Sequence, residues 1–337
     1  RKVVLVPMVI LFSLLSAASG LARSFSELLL VRALLGIAEG PCWSVMMALV
    51  EENSSAEHRG RNIGIVVSAA AIIGLAIAPV LTTQVAAHFG WRAAFFIAGA
   101  PGLVMAVLII LFIHEGADAR AARSAHRIGL RELASLLRYR NIWACAVGAA
   151  GFMTWLFLVN TFAPLYITSV EKQSGTVAGF LMGAAGLGSF FLGLIGPALS
   201  DRFGRRLWCA AAGVLCTLLP LALLTQSLYA QLWLLAGILF ITQGGQAVSA
   251  IGIVLVPTES VPKNLGASAI GFTTMFGEMI GGFVAPIVAG ALVARHGLGE
   301  PLWAAAAGTV VVFIIALLLK PTAAAASQAI VTVPSAS

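Results

Sequence analysis

Charge is scarce in this chain. Of 337 residues only 10% are Asp, Glu, Lys or Arg, while 60% are apolar; soluble domains carry about 25% charged side chains. So little charge cannot cover a water-facing surface, which excludes a soluble globular protein. Cysteine patterns are lacking too. Cys42, Cys145, Cys209 and Cys216 show no CxxC or Cys/His spacing, so neither a metal site nor a disulfide framework is indicated. GxSxG, HExxH and P-loop motifs are absent, and GLGSFFLG lacks the GxGxxG spacing. An enzyme is not expected, and neither is a cofactor. No signal peptide is recognisable: Arg1 and Lys2 lead straight into an apolar run at residues 3–21 that reads as a span.

What is present is a succession of long apolar runs. Spans of roughly 20 residues are required to cross a bilayer. Runs bounded by charges, Gly/Pro or Asn/Ser clusters place helices near 3–22, 26–50, 62–87, 92–113, 142–169, 177–200, 207–225, 231–257, 266–293 and 301–319. They are too long and too unalternating for barrel strands, and in lipid each backbone polar group must pair within its own segment, so an all-α membrane protein is expected.

The net charge of +7 is topogenic. On one set of alternate loops lie fifteen basic residues, from Arg1 and Lys2 to Lys320, against four, Arg23, Arg92, Lys172 and Arg295, on the other. The positive-inside rule makes the first side cytoplasmic, with both chain ends on it. The basic excess therefore implies a lipid bilayer and no nucleic acid. Residues 114–141 form a cytoplasmic linker between four spans and six. Its part IGLRELASLLRYR sets Ile128, Leu130, Leu133, Leu136 and Leu137 against Arg131, Glu132, Arg138 and Arg140, which suits a helix on the membrane surface. The domains are then residues 1–113, the linker 114–141, a six-helix bundle 142–320, and a low-complexity tail 321–337 expected to be disordered.

A shift of 204 residues pairs Glu39-Gly40 with Gln243-Gly244 and Arg59 with Lys263. The second half then has two spans, residues 142–200, with no partner in the first. Ten of an expected twelve helices in two six-helix halves is the simplest reading, the other two lying upstream of Arg1.

These residues resemble the major facilitator superfamily. GPALSDRFGRR, residues 196–206, is similar to its signature loop GxxxDRxGRR, and Arg1-Lys2 to the end of the first-half copy. RALLGIAEGP, residues 32–41, resembles its fourth-helix motif. The Glu after RxxxGxx looks like the anion:cation symporter branch, which includes sialin, the vesicular glutamate transporters and bacterial sugar-acid permeases. HFGWRAAFFIAGAPG, residues 88–102, fits the turn into the sixth helix of that branch. GLAIAPVLTT, residues 74–83, departs from the GPxxGG signature of the drug/proton antiporters, keeping only Ala78-Pro79.

Ionisable groups within a span are costly, so each is a functional candidate. Arg32, Glu39 and Glu278 qualify. Arg32 and Glu39 lie seven residues apart, two turns or about 10 Å along one helix face. A carboxylate at mid-membrane is what a proton-coupled carrier needs, and Arg32 is a forked donor suited to a carboxylate. The resemblance implies the same roles: Glu39 as proton site and Arg32 as its charge partner. The plain alternative is an ion pair that locks the helix. Glu278, beside Gly277, Gly281 and Gly282, is either a second coupling group or a buried Glu bonded to a neighbouring helix. Gln243 and Gln246 are either solute ligands or helix-to-helix bonds. Trp155, Asn160 and Tyr166 lie on a helix that lines the central cavity in the superfamily, Asn160 being the first choice as ligand and Tyr166 equally an interface aromatic, as are Trp143 and Tyr229. The resemblance further makes Asp201, Arg202, Arg205 and Arg206 an inside gate, with Arg59 and Arg61 acting similarly in the first half; the ordinary alternative is solvated charges.

The expectation is a monomeric, multi-pass protein of the inner (cytoplasmic) membrane that carries a small organic anion with protons by alternating access. Its alternatives are a proton-coupled exporter of drugs or metabolites and a transporter-like membrane sensor.

Overall fold

The computed structural model describes residues 2–52, 54, 62, 65–66, 69, 72–112, 134–203, 205–246, 249–262 and 265–319. Among them are ten long helices: α1 (Lys2–Ser19), α2 (Phe25–Glu52), α3 (Ile72–Phe89), α4 (Trp91–Phe112), α5 (Arg140–Ser169), α6 (Gly175–Phe203), α7 (Arg205–Leu224), α8 (Leu232–Glu259), α9 (Gly266–Gly277, continued by Glu278–Val284 and Ala285–His296) and α10 (Glu300–Leu318). Eight of the described helices are long and apolar enough to cross a membrane, and α1 adds the shorter apolar stretch Val4–Ser19. The tail at 321–337 lies outside the described residues.

The chain divides into two compact units, Arg1–Arg127 and Ile128–Ser337. In the first, α1 packs on α2 and α4, and α3 on α4. In the second the same pairs recur six helices on, α7 on α8 and α10, and α9 on α10. Details repeat as well. Ser13 of α1 donates to Val9 O at 2.6 Å and sits against Gly99 and Gly102 of α4, whose missing side chains leave it room. Thr217 of α7, at the matching place, donates to Gly213 O at 2.8 Å and pairs with Thr309 of α10 at 2.8 Å. Small residues and hydroxyls let membrane helices approach where lipid gives no hydrophobic drive between them.

A second echo lies in α3 and α9. Each opens or continues with a wide π turn, Ile72–Ile77 or Glu278–Val284, followed at once by Ala-Pro, at Ala78-Pro79 and Ala285-Pro286. In α8 the π turn Ser249–Leu255 likewise precedes Val256-Pro257. Proline removes a backbone donor and pushes on the carbonyl four residues back, so the widened turn preceding it relieves the helix. Both α3 and α9 end on a glycine with positive φ, Gly90 (81°) and Gly297 (100°), a conformation closed to other residues.

The hub of the second unit is α5, which packs on α6, α9 and α10. Phe152, Trp155, Leu158 and Ile167 are buried along it. Gly151 lies against Gly308 of α10, and Gly277 and Gly281 against Ala149, Met153 and Thr154. The glycines beside Glu278 thus let α9 approach α5 closely.

Two local expectations are corrected. A loop is expected between the spans at 200 and 207, but α6 continues to Phe203 and α7 begins at Arg205. Of the surface helix expected in the linker, residues 128–133 lie outside the described ones. Leu136 at its end is fully buried with Ile142, Leu265 and Ala269 and does not face lipid. Burying that leucine in a ready-made cleft removes more apolar surface from water than laying it on headgroups.

Candidate functional site

Arg32 and Glu39 stand on α2, both exposed. A capping arrangement starts this helix: Ser24 Oγ accepts from Glu27 N at 3.2 Å, while Glu27 Oε2 accepts from Arg23 N at 2.8 Å. Counting from that fixed start, Arg32 lies about 10 Å along the axis and Glu39 about 20 Å. Among the described residues no carboxylate pairs with Arg32. Its guanidinium carbon instead lies 4.9 Å from the centre of the Phe95 ring on α4, within cation–π range. Phe95 meets the Trp91 ring edge-on at 5.8 Å, and Arg92 lies over Trp91 at 4.3 Å while donating to Ala22 O at 3.2 Å. Arg92, Trp91, Phe95 and Arg32 form one ladder. Sequence reasoning missed it, although Phe95 stands one turn after the adjacent Trp91 and Arg92 in the quoted segment 88–102.

In the second unit Glu278 opens the π turn of α9 and is exposed. Its Oε2 lies over Gly282, in space that a side chain there would occupy, and Phe157 of α5 lies beside the same glycine. Asn160, one turn beyond Phe157, is exposed, but its Nδ2 donates to Leu156 O of its own helix at 2.7 Å. Gln243 is only 4% exposed and begins a short 3-10 stretch, Gln243–Gln246, that interrupts α8. Its Oε1 is buried without a partner. Gly244 and Gly245 hold this stretch close to Leu192 and Cys216. Gln246, on the last residue of the stretch, is half-buried.

Trp155 is fully buried, its ring 5.6 Å from Phe152 and its Nε1 unpartnered, so it presents no open face. Tyr166 and Tyr229 also belong to the core. Tyr229, in the turn Gln226–Ala230 between two spans, is buried and donates to Leu223 O at 2.9 Å. Burial, then the nearby Glu171 carboxylate and Tyr166, push its hydroxyl pKa up. Glu171, just after α5, has a buried Oε1 without a hydrogen-bond partner. Sequence reading passed over it because a Glu in a turn looks solvated. Trp143 is exposed, edge-on to Phe272 and Phe276.

Of the gate residues, Asp201 and Arg202 lie in the last turn of α6, and Arg205 and Arg206 open α7; Arg206 is exposed. The side chains of 201–205, and Arg59 and Arg61 altogether, lie outside the described residues. A small cavity ringed by α5, α7, α8 and α10 is apolar, lined by Cys145, Cys209 and Ile253 among others, and includes none of the candidate residues.

The chain is 29% identical over 294 residues to a probable 4-methylmuconolactone transporter of Cupriavidus pinatubonensis, covering 83% of this chain and 66% of that protein. It is 27% identical over 311 residues to a probable L-galactonate transporter of Escherichia coli, covering 84% and 66%. The chain thus spans just under two thirds of the length of these relatives. Among solved structures it is similar to a bacterial homologue of the human lysosomal transporter Spinster, inward-facing and unoccupied, at 20% identity and a TM-score of 0.61, over 94% of this chain and 81% of that one. That likeness concerns the fold: a multi-pass helical membrane protein. The model of the Major Facilitator Superfamily matches residues 1–286, more than half of the chain, and the chain belongs to that superfamily of membrane transporters.

Proposed function

We propose that this protein carries a small organic anion coupled to protons by alternating access, with Arg32 seating the anion and Glu39 carrying the proton. The observation that carries this reading is Arg32 itself. A permanent cation in a span is tolerated only with a purpose, and here, among the described residues, no carboxylate neutralises it. An incoming carboxylate would do so. Glu39, two turns further along the same face, is then the group whose protonation state can follow that of the seat. The relatives point the same way, since two of them bear the names of transporters of a lactone and a sugar acid. Glu278, exposed on the π turn of α9, is a second coupling group, and Asn160 on α5 an accessory ligand. Gln243 and Gln246 are further ligands, reached when the interrupted stretch of α8 opens. Trp155 and Tyr166, enclosed in the core, support α5 and do not touch solute. Asp201, Arg202, Arg205 and Arg206, with Arg59 and Arg61, close the cytoplasmic side, on which both chain ends lie in the inner membrane. The protein acts as a monomer.

The test is uptake into vesicles holding the protein, driven by a pH gradient. Glu39→Gln should abolish uphill accumulation while solute exchange at equal pH continues. Accumulation that persists in this variant would remove Glu39 from the mechanism. A gradient of opposite direction driving uptake would replace symport by export.

A further inference from the structure

The ladder beneath Arg32 has a chemical preference. Phe95 takes the flat face of the guanidinium but has no acceptor for its N–H donors, and among the described residues none takes them up. Trp91 holds Phe95 from the side, and Arg92 ties Trp91 to the turn at Ala22, so the ring is fixed from both α4 and the α1–α2 connection. Among the described residues, α4 and the part of α2 that bear this seat offer little that could bind hydroxyl groups. The sequence of α4, WRAAFFIAGAPGLVMAVLIILF, contains no Ser, Thr, Asn or Gln. On α2 the stretch between Arg32 and Glu39 reads ALLGIA. On α3 the hydroxyls of Thr82 and Thr83 both donate to carbonyls of their own helix, at 2.7 and 2.8 Å. On the α2 and α4 side of the seat a polyhydroxylated acid would exchange water partners for apolar side chains, an unfavourable transfer that the amides of the second unit offset only in part. A flat apolar body would meet an aromatic ring and aliphatic walls.

We propose that Phe95 is a specificity-determining residue and that the Arg32 seat takes carboxylates with a flat aromatic or conjugated body in preference to polyhydroxylated acids. This rests on the reading of Arg32 as the anion seat.

The test is equilibrium binding of benzoate, cyclohexanecarboxylate and gluconate to the purified full chain in lipid nanodiscs. Benzoate should bind at least about tenfold tighter than gluconate, with cyclohexanecarboxylate, similar in size but not flat, in between. Phe95→Leu should weaken benzoate about fivefold and leave gluconate unchanged, whereas Phe95→Tyr should keep the wild-type order. Arg32→Gln should weaken all three. If gluconate binds as tightly as benzoate, or Phe95→Leu leaves their ratio intact while Arg32→Gln still removes binding, the preference is overturned and the anion seat stands. Should Arg32→Gln leave benzoate binding unchanged, or no anion bind the wild-type chain, the seat fails and the preference with it. Where Phe95→Leu does not fold, the wild-type order of benzoate over cyclohexanecarboxylate decides alone.

Discussion

At the 204-residue offset, Arg32 and Glu39 of α2 correspond to Ala236 and Gln243 of α8. In the first unit this helix face is charged and exposed; in the second it is neutral, with Ala236 8% and Gln243 4% exposed. The difference follows from what surrounds each helix. In the second unit the span of α5 is 67% buried, those of α6, α7 and α8 are 50% and that of α10 is 39%, with only α9, at 17%, lying largely outside the shared core. In the first unit the windows of α3 and α4 are only 11% buried. A charge is tolerable where the packing is open and a partner can arrive; inside a closed core it would stay unpaired. The comparison teaches that the charged version of this helix face stands in the less buried unit and its neutral counterpart in a closed core.

The comparison breaks most sharply if the two positions are exchanged. Gln243→Glu would place a carboxylate in a closed seat, and should lower stability by about 3 kcal/mol. Glu39→Gln, at an exposed site, should stay within about 0.5 kcal/mol. Thermal unfolding in detergent followed by circular dichroism checks both, and equal losses would refute the contrast. A second pair concerns glycine. At Gly188 of α6 a Cβ would run into the Phe240 backbone, with Cα 2.8 Å away, so Gly188→Ala should cost about 2 kcal/mol. Gly36 of α2 has nothing within 4 Å, and Gly36→Ala should gain up to about 1 kcal/mol of helix propensity. The same melts read the two signs.

The smallest effect tests the closed unit alone. Tyr229→Phe loses the bond to Leu223 O and should cost about 1 kcal/mol at neutral pH. Because burial raises the Tyr229 hydroxyl above its usual value of about 10, its stabilising effect is full below that pH and is lost as pH rises past it. Wild-type melting temperature should therefore fall above about pH 10, and less steeply in Tyr229→Phe; parallel curves would remove Tyr229 as the cause.

Much of the fold was legible. Nine of the ten helices fell within a few residues of their expected bounds, because lipid forces each apolar run to pair its own backbone, while the third, expected from 62, begins as a continuous described helix at Ile72. The loop expected at 201–206 shows the limit. Asp, Arg and Gly marked a turn, yet helical pairing continued through Asp201 and Arg202 to Phe203. The proline steps could be seen in α3, α8 and α9, but not that each would be preceded by a π turn. Proline requires some relief of the ladder, and only the neighbouring helices decide its form.

The candidate site was legible as far as residue type. Composition alone singled out Arg32, Glu39 and Glu278, since a charge within an apolar run is costly wherever it points. Sequence spacing could not tell that Arg32 rests on Phe95, 63 positions away, nor that Trp155 and Tyr229 turn inward while Asn160 turns out. Membrane insertion, helix number and the repeat depend on the run of side chains along one strand of chain, so the sequence by itself determined them. Which charge is paired, stacked or enclosed depends on side chains brought together from distant helices, and only the tertiary structure decided that.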